Sequence, residues 1–295
     1  MQQQNSICNF SNSDSWVILS PIEQSIKRKI EAVGTPLKDW DIQINYGIKT
    51  GFNDAFIIST EKRNEILANC KDADERQRTA ELIRPILRGR DIKRYGYVDN
   101  GLFLINTHNG IRGRIPRIKI EDYPAVKAHL DQYWDRIATR ADKGDTPYNL
   151  RNCAYLEDFN KPKIIWGEIS DRSKFAYESE GKFIPEATTF LMVGNHLPYL
   201  FCALNSPVSE WFFSKVGTTT GVGTVRWKKY TIQQLLLPNI TEEQQTIYSN
   251  FVEQYIKGDL SILDFANRVN LEIYKSVGLT DVEIDYVENF YPPLS

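Results

Sequence analysis

The segment Leu82-Ile-Arg-Pro-Ile-Leu-Arg-Gly-Arg-Asp-Ile-Lys-Arg-Tyr95, called here the basic segment, sets five cations against one acid. Pro85 lacks an N–H and Gly89 tolerates positive φ, so we expect two sharp turns and no continuous helix. The apolar residues would anchor the segment while its other cations project outward, namely Arg88, Arg90, Lys93 and Arg94. Arginine offers a fork of donors that matches phosphate oxygens or guanine edges, and lysine supplies a point charge. The pattern predicts a phosphate-binding loop, and a solvated charged turn in which Asp91 pairs with a neighbouring arginine is the alternative.

The composition is that of a chain with a substantial core. Its 295 residues are 41% hydrophobic and 12% aromatic, which excludes disorder and allows one large domain or two smaller ones. The four cysteines and three histidines are scattered without zinc spacing, so we predict no metal site. The longest apolar stretch, Phe190 to Leu204, is interrupted by polar residues and a proline. We therefore expect a cytoplasmic protein with no membrane partner.

The net charge of -2 conceals an asymmetry along the chain. Residues 241–295 carry ten acids and three bases, which leaves a net charge of +5 for residues 1–240. Both Thr241-Glu-Glu-Gln244 and Thr280-Asp-Val-Glu283 fit the capping box that begins a helix, so this acidic tail is predicted to be helical. A basic body with an acidic tail fits a protein that binds a polyanion on one face.

Two β-type runs flank a loop bracketed by glycines. Trp40 to Ile48 alternates apolar and polar residues, and Ala55 to Ile58 has a high β propensity. With Gly47-Ile-Lys-Thr-Gly-Phe-Asn53 between them, the runs predict a β-hairpin. The loop presents Lys49 and Asn53, which suit contact with a DNA backbone or base edge, and a plain turn without a ligand fits these residues equally well.

Local patterns predict further elements. Ser20-Pro-Ile-Glu23 is typical of a helix start, with the helix ending near Val33. The other predicted elements are helices near 61–67 and 74–83, a strand at 102–105, and a helix over 123–139 that places Trp134 in the core. Between Gly110 and Gly113, Arg112 and its neighbour Arg114 form a second cationic loop, for which a flexible charged loop is the favoured interpretation.

A second candidate binding segment is Gly217-Thr-Thr-Thr-Gly-Val-Gly-Thr-Val-Arg-Trp-Lys-Lys-Tyr230. Its glycines let the backbone approach a ligand closely. The charged and aromatic residues that follow suit DNA binding, namely Arg226, Trp227, Lys228 and Lys229. Gly221-Val-Gly223 lacks the third glycine of a dinucleotide fingerprint, so a nucleotide cofactor loop is rejected.

Several of these segments, taken in order, resemble the TaqI-like C-terminal specificity domain of type II restriction-modification enzymes and related adenine-specific DNA methyltransferases. The matching stretches are Gly47-Ile-Lys-Thr-Gly-Phe-Asn-Asp-Ala-Phe-Ile-Ile58, Ile83-Arg-Pro-Ile-Leu-Arg-Gly-Arg-Asp-Ile-Lys-Arg-Tyr95, Phe159-Asn-Lys-Pro-Lys-Ile-Ile165, Leu200-Phe-Cys-Ala-Leu-Asn-Ser206, Leu235 to Pro238 and Tyr274-Lys-Ser-Val-Gly-Leu-Thr-Asp-Val-Glu-Ile284. The likeness spans roughly residues 40–290 and is weakest over about 106–158, where target-reading residues could vary.

The resemblance implies a mixed α/β (α+β) fold, in which packing helices flank the twisted sheet of a DNA target-recognition domain. It divides the chain into an N-terminal linker and helix (1–39), a recognition domain (40–240) and a helical tail packed on the body (241–295). Double-stranded DNA and a methyltransferase or nuclease catalytic domain in cis are the implied partners. No cofactor is expected in this chain, since S-adenosylmethionine would belong to the catalytic domain.

The catalytic part itself is expected to be absent from this chain. Adenine-N6 methyltransferases carry Asn, Asp or Ser followed by Pro-Pro-Tyr or Pro-Pro-Phe, and Tyr291-Pro-Pro-Leu294 differs on both sides of the prolines. We therefore expect a non-catalytic recognition module. A self-sufficient metal-dependent nuclease built on Asp91 and Lys93 is one alternative, and an adaptor that binds protein through its acidic tail is another.

Overall fold

The computed structural model of the chain describes residues 19–216, 218–219 and 225–290. The chain divides into two compact units. The terminal unit comprises Met1–Trp40, Asp171–Ser173 and Pro198–Ser295, and the central unit comprises Asp41–Ser170 and Lys174–Leu197. Residues 198–240 thus group with the acidic tail, because strands near both ends of the central unit pair with each other and close it. The assignment of target recognition to residues 40–240 stays a prediction.

The helices of the described residues are α1 Pro21–Val33, α2 Asn53–Phe56, α3 Thr60–Ala68, α4 Ala73–Leu82, α5 Pro124–Asp131, α6 Trp134–Thr139, α7 Leu197–Leu204, α8 Pro207–Val216, α9 Lys229–Ile232, α10 Glu242–Lys257, α11 Ile262–Val277 and α12 Asp281–Phe290. The strands are β1 Gly34–Pro36, β2 Ile42–Tyr46, β3 Ile57–Ser59, β4 Ile83–Leu87, β5 Ile92–Lys93, β6 Gly96–Tyr97, β7 Leu102–Ile105, β8 Lys163–Gly167, β9 Ile169–Ser170, β10 Phe175–Glu178, β11 Ile184–Pro185, β12 Thr189–Gly194, β13 Thr218–Thr219, β14 Val225–Arg226 and β15 Leu236–Pro238.

Two four-stranded sheets form the framework of the central unit, in the orders β10-β8-β12-β2 and β11-β4-β7-β3. The first sheet is antiparallel. The second is mixed, since β11 runs parallel to β4 while β7 is antiparallel to both of its neighbours. Its strands and α5 contribute Ile83, Leu104 and Val126 to one buried cluster. The predicted mixed α/β class is confirmed.

The predicted hairpin of residues 40–58 is wrong. Strand β2 pairs with β12, whereas β3 pairs with β7 in the other sheet, and α2 lies between them. Contacts of the loop with residues 185–189 direct the chain away from a hairpin turn. The N–H of Gly47 donates to Thr189 O, and that of Ile48 donates to Pro185 O. A Cβ on Gly47 would lie 2.0 Å from Glu186 O, so only glycine permits this approach.

The turn expected at Pro85 of the basic segment is wrong. Pro85 lies inside β4, which pairs with β7 up to Pro85 and with β11 from Ile86 onward. The missing N–H is tolerated because it falls where the strand changes partners. The second expected turn is present as a 3-10 helix over Gly89–Asp91. Glycine is used there for a close approach, since an added Cβ would lie 3.2 Å from the Thr188 hydroxyl oxygen.

The helix predicted over residues 123–139 is interrupted. It forms as α5 and α6, and the buried positions Val126, Leu130 and Ile137 follow the predicted spacing. Trp134 is nevertheless 45% exposed, so its expected place in the core is wrong. The break between Asp131 and Trp134 shifts the helical phase, which turns Trp134 out of the apolar face.

In the terminal unit, α1 begins and ends as its sequence predicts. Ser20 and Glu23 form the capping box, and Gly34 caps the end. The predicted tail helices are present as α10, α11 and α12, with Val269 and Ile273 of α11 buried. The tail is held to α1 because Lys29 pairs with Glu283 at 2.6 Å. Within the described ranges, no helix combines the length and the apolar character needed to cross a membrane.

Candidate nucleic-acid interface

The turn of the basic segment is built on one buried carboxylate. Asp91 is 2% exposed, and Arg88 grips it with Nε and Nη2 at 3.0 and 2.9 Å. The backbone N–H of Arg88 and the Asn100 amide donate to the same carboxylate, both within 2.9 Å. Arg88 is therefore engaged in holding the turn, as the charged-turn alternative expected, and the turn is rigid.

The other cations of the segment differ in exposure. Arg90 and Lys93 are exposed, and Lys93 Nζ donates to the Arg90 carbonyl at 3.2 Å. Arg94 is only 8% exposed and lies over the Tyr95 ring, so the expectation that it projects outward is wrong. The reason is the β5–β6 turn, in which Tyr95 adopts a positive φ of 64° and is itself buried.

The surroundings of Asp91 are those of a charged carboxylate that stabilises the turn. Burial alone would raise its pKa, but hydrogen bonds and charge from Arg88, together with the Asn100 amide, lower it below its usual value. Both carboxylate oxygens already accept hydrogen bonds from protein donors. Nowhere in the described part of the chain do three or more His, Cys, Asp or Glu side chains gather in a way that could hold a metal ion. The nuclease alternative built on Asp91 thus lacks a supporting acid cluster there.

Of the predicted site residues of the central unit, Lys49 lies in the loop between β2 and α2, and Asn53 is the first residue of α2. Asn53 is tied down, because Thr50 Oγ1 donates to its side-chain oxygen at 2.5 Å and its amide lies 3.5 Å from Glu186 Oε1. Lys49 is exposed. The loop therefore exposes Lys49 close to Thr50 and Asn53, which hydrogen bonds hold in place.

The second predicted segment belongs to the terminal unit, and most of its glycine-rich part (217 and 220–224) lies outside the described residues. Trp227 is 3% exposed and stacks on Phe213 with ring centroids 3.9 Å apart at 5°. Trp227 was predicted to contact DNA, but its ring is used in packing and little of it is accessible. Arg226, Lys228 and Lys229 are partly exposed.

A third cationic surface lies in the connection between β7 and β8. Residues 100–120 contain four cations and no acid. Their loop turns at Gly110 and Gly113, whose φ values are 73° and 77°. Arg112 and Arg114 are predicted from the sequence as a cationic loop but are not among the predicted DNA contacts. The 21-residue run without an acid could have indicated a cationic surface here.

Acids from residues 140–158 pair with two of the four cations of that surface. Arg114 pairs with Glu157, and Arg117 pairs with Asp145 at 3.0 Å. Asn109 crosslinks the two loops by donating to Asp145 at 3.0 Å and to the Asn152 side chain at 2.5 Å. Arg112 is exposed and pairs with no acid in the described part of the chain. Its guanidinium is thus available to a ligand, on a loop that the hydrogen bonds of Asn109 hold in place.

Comparison with known proteins decides the family. The family model of the TaqI-like C-terminal specificity domain matches residues 84–238, which is more than half of the chain. The chain belongs to the TaqI-like C-terminal specificity domain family. The cations of all three cationic regions lie within the matched residues. The regions are the basic segment, the β7–β8 connection and Arg226–Lys229.

Named relatives are restriction-modification enzymes. The chain is 20% identical over 269 residues to the type II methyltransferase M.PaeR7I of Pseudomonas aeruginosa, covering 90% of this chain and 43% of that protein. The solved type IIL restriction-modification enzyme MmeI, in complex with DNA, aligns over 88% of this chain and 34% of its own, with a TM-score of 0.55 and 14% identity. The type IIG restriction endonuclease BpuSI aligns over 92% of this chain and 33% of its own, with a TM-score of 0.51 and 12% identity. The TaqI-like chain thus spans less than half the length of each.

Proposed function

We propose that this chain is the DNA target-recognition part of a restriction-modification enzyme. It binds double-stranded DNA and presents it to a catalytic domain in cis, which flips an adenine out of the duplex and methylates its N6. That domain uses S-adenosylmethionine and serves phage defence in the cytoplasm. The match of the specificity-domain family over residues 84–238 carries this proposal.

Exposed cations on loops of the central unit support a DNA contact. Arg90 is exposed on a turn that Arg88 and Asp91 hold rigid, Lys93 is exposed on β5 directly after it, and Lys49 is exposed on a second loop. Rigid loops bind with a smaller loss of conformational entropy than mobile ones. Phosphate contacts by such side chains release counterions, so the affinity should fall steeply with salt.

The predicted contact residues take different roles in this proposal. Lys93, Lys228 and Lys229 grip phosphates, whereas Arg226 or Arg90 approaches a guanine edge. Arg88 and Arg94 act indirectly, because the first holds Asp91 and the second is nearly buried. No metal or nucleotide cofactor takes part in binding by this chain.

The test is DNA binding by the 295-residue chain in the presence of a chelator. Fluorescence anisotropy with a labelled duplex of random sequence should show salt-dependent binding, and selection from a randomised duplex library should recover a preferred sequence. Arg90→Ala should weaken binding. Lys257→Ala should not, because Lys257 is an exposed cation of the acidic tail that pairs with Glu253.

Absence of binding to any duplex by a folded chain at low salt would contradict the proposal. Loss of binding in chelator, or magnesium-dependent cleavage that Asp91→Ala abolishes, would support the nuclease instead. Equal effects of Arg90→Ala and Lys257→Ala would show that the bound surface is not the predicted one.

A further inference from the structure

A row of aromatic side chains crosses the first sheet of the central unit and ends at its surface. Tyr46, Phe190, Trp166 and Phe175 are opposite one another across β2, β12, β8 and β10. Successive ring centroids are 4.9, 5.5 and 5.6 Å apart. The other three rings are at most 2% exposed, whereas Tyr46 on the edge strand β2 is 53% exposed. Contact with Phe190 thus holds a large exposed ring in place.

Tyr46 lines a groove of which the proposed function uses only Lys49. The groove has a volume of about 380 Å³ and lies between residues 46–49 and 151–155. This volume is at the lower end of the range for small-molecule sites, roughly 300 to 1,000 Å³, so it suits one nucleotide and not a length of duplex.

The other groove residues suit the remaining parts of a nucleotide. Lys49 and Arg151 are exposed on its two sides, and Lys49 can reach a phosphate. Arg151 pairs with Asp142 at 3.1 Å and would have to exchange that carboxylate for a phosphate. Asn152 supplies an amide that can pair with a base edge. Burial raises the pKa of Tyr155 to about 12, so this side of the groove is uncharged at neutral pH. Asn152 also lines the cationic cleft of the β7–β8 connection, so the two depressions adjoin.

We propose that this groove holds one nucleotide of the bound DNA outside the base stack, with its base against Tyr46. Within a duplex, both faces of a base are covered by its neighbours, so an aromatic ring can stack only on a base that has left the stack. The inference rests on the proposed function, since it names the form of DNA that this surface takes. It differs from the adenine flipped for methylation, which belongs to the catalytic domain.

The experiment compares two labelled duplexes of the same random sequence, one fully paired and one carrying a single extrahelical thymidine. The full chain should bind the bulged duplex at least about fivefold more tightly, in line with the contribution of base–aromatic stacking. Tyr46→Ala should abolish that preference while leaving affinity for the paired duplex unchanged. Tyr46→Phe should retain it, because the ring remains. Trp134→Ala removes an exposed ring outside the groove and should also leave the preference intact.

Separate outcomes overturn the inference and the proposed function. If the paired duplex binds but the bulge adds nothing, or if the preference survives Tyr46→Ala or is lost in Trp134→Ala, the groove does not hold a nucleotide. If Tyr46→Ala does not fold, Lys49→Gln tests the inference instead. It should weaken binding to the bulged duplex more than binding to the paired duplex. Equal weakening of the two overturns the inference. If the wild-type chain binds neither duplex, the proposed function fails and the inference fails with it.

Discussion

At the residue scale, the cations of the basic segment divide into structural and available groups. Arg88 binds Asp91 with two guanidinium nitrogens, and Arg94 is 8% exposed. Arg90 and Lys93 are left exposed. The same residue types therefore serve different purposes within a few positions, and charge density along the sequence does not separate them.

Arg88→Ala and Arg90→Ala should thus have opposite consequences. Arg88→Ala leaves the buried Asp91 without its guanidinium partner, which should lower the free energy of unfolding by about 1 to 3 kcal/mol. Arg90→Ala should leave stability within about 0.5 kcal/mol of the parent and weaken DNA binding. Urea unfolding and fluorescence anisotropy measure the two quantities. A stable Arg88→Ala variant with impaired DNA binding would mean that Arg88 contacts DNA directly.

Trp227→Ala should act on stability. Loss of the stacked pair with Phe213 should cost about 3 to 5 kcal/mol, and Trp227→Phe should recover part of this by restoring a ring. Thermal unfolding provides the measurement, and DNA affinity is then determined only for the folded fraction. Were Trp227→Ala as stable as the parent but unable to bind DNA, the ring would have the stacking role that its burial argues against.

Arg226 is the predicted base reader of the second segment. Arg226→Ala should cost about 1 to 3 kcal/mol on the preferred sequence and much less on random DNA. Lys228→Ala should weaken binding to both alike and reduce the salt slope by roughly one. The two residues are compared by anisotropy at several salt concentrations. If Arg90→Ala changes the preferred base while Arg226→Ala weakens all sequences equally, the roles of the two loops are reversed.

At the element scale, α12 is fastened to α1 by the carboxylate of Glu283. Lys29 Nζ and Ser25 Oγ donate to it at 2.6 and 2.7 Å, and the Thr280 N–H donates at 2.7 Å to complete the start of α12. Lys29 also donates to the carbonyl of Gly278 at 2.8 Å, which caps α11. The carboxylate thereby links α1 to α12, and Lys29, which it binds, also contacts the end of α11.

This carboxylate should make stability depend on pH. Burial would raise the pKa of Glu283, but hydrogen bonds from Lys29, Thr280 and Ser25 outweigh it and lower that pKa from 4.5 to about 2. Because the folded-state pKa is the lower one, the stabilisation is complete above pH 4.5 and is lost as the pH falls toward about 2. Glu283→Gln should lower the free energy of unfolding by about 2 kcal/mol at neutral pH, and the difference should shrink below pH 4.5.

Urea unfolding over a pH series checks this prediction. Glu253→Gln is the matched control, because Glu253 forms an exposed, solvent-screened pair with Lys257 and its loss should leave the free energy of unfolding nearly unchanged. A difference for Glu283→Gln that stays constant across acid pH would show that the lost contribution is packing and not charge.

At the scale of the whole molecule, the acidic tail should face away from DNA. Residues 241–295 carry ten acids against three bases, and a phosphate backbone would repel them. A photo-crosslinking residue placed in turn at Lys257, Arg90 and Arg226 should attach to labelled DNA from the latter two positions only. Stronger crosslinking from position 257 would contradict this division of charge.

Much of the local structure was predictable because its causes are local. The capping box of Ser20 and Glu23 and the spacing of Ile26 and Ile30 give α1 with both ends correct. In the tail, the helical spacing of Ala266, Val269, Ile273 and Val277 matches the buried face of α11, whereas Ile262 remains 38% exposed. The family was also predictable, because short stretches that resemble it occur in this sequence in the same order. The failures were the hairpin of 40–58, the turn at Pro85 and the burial of Trp134, each of which depends on a distant partner or on helical phase.

By itself, then, the sequence determined where the helices begin, which family the chain belongs to and where positive charge is concentrated. Hydrogen bonds and side-chain spacing within a few residues control those features. Only the tertiary structure decided that β2 pairs with β12, about 150 residues later. It also decided that Arg88 and Arg94 are engaged while Arg90 is exposed, and that Tyr46 ends a row of aromatic rings. Strand pairing, burial and the pairing of charged side chains depend on residues far apart in the chain. The pattern within one segment therefore does not predict them.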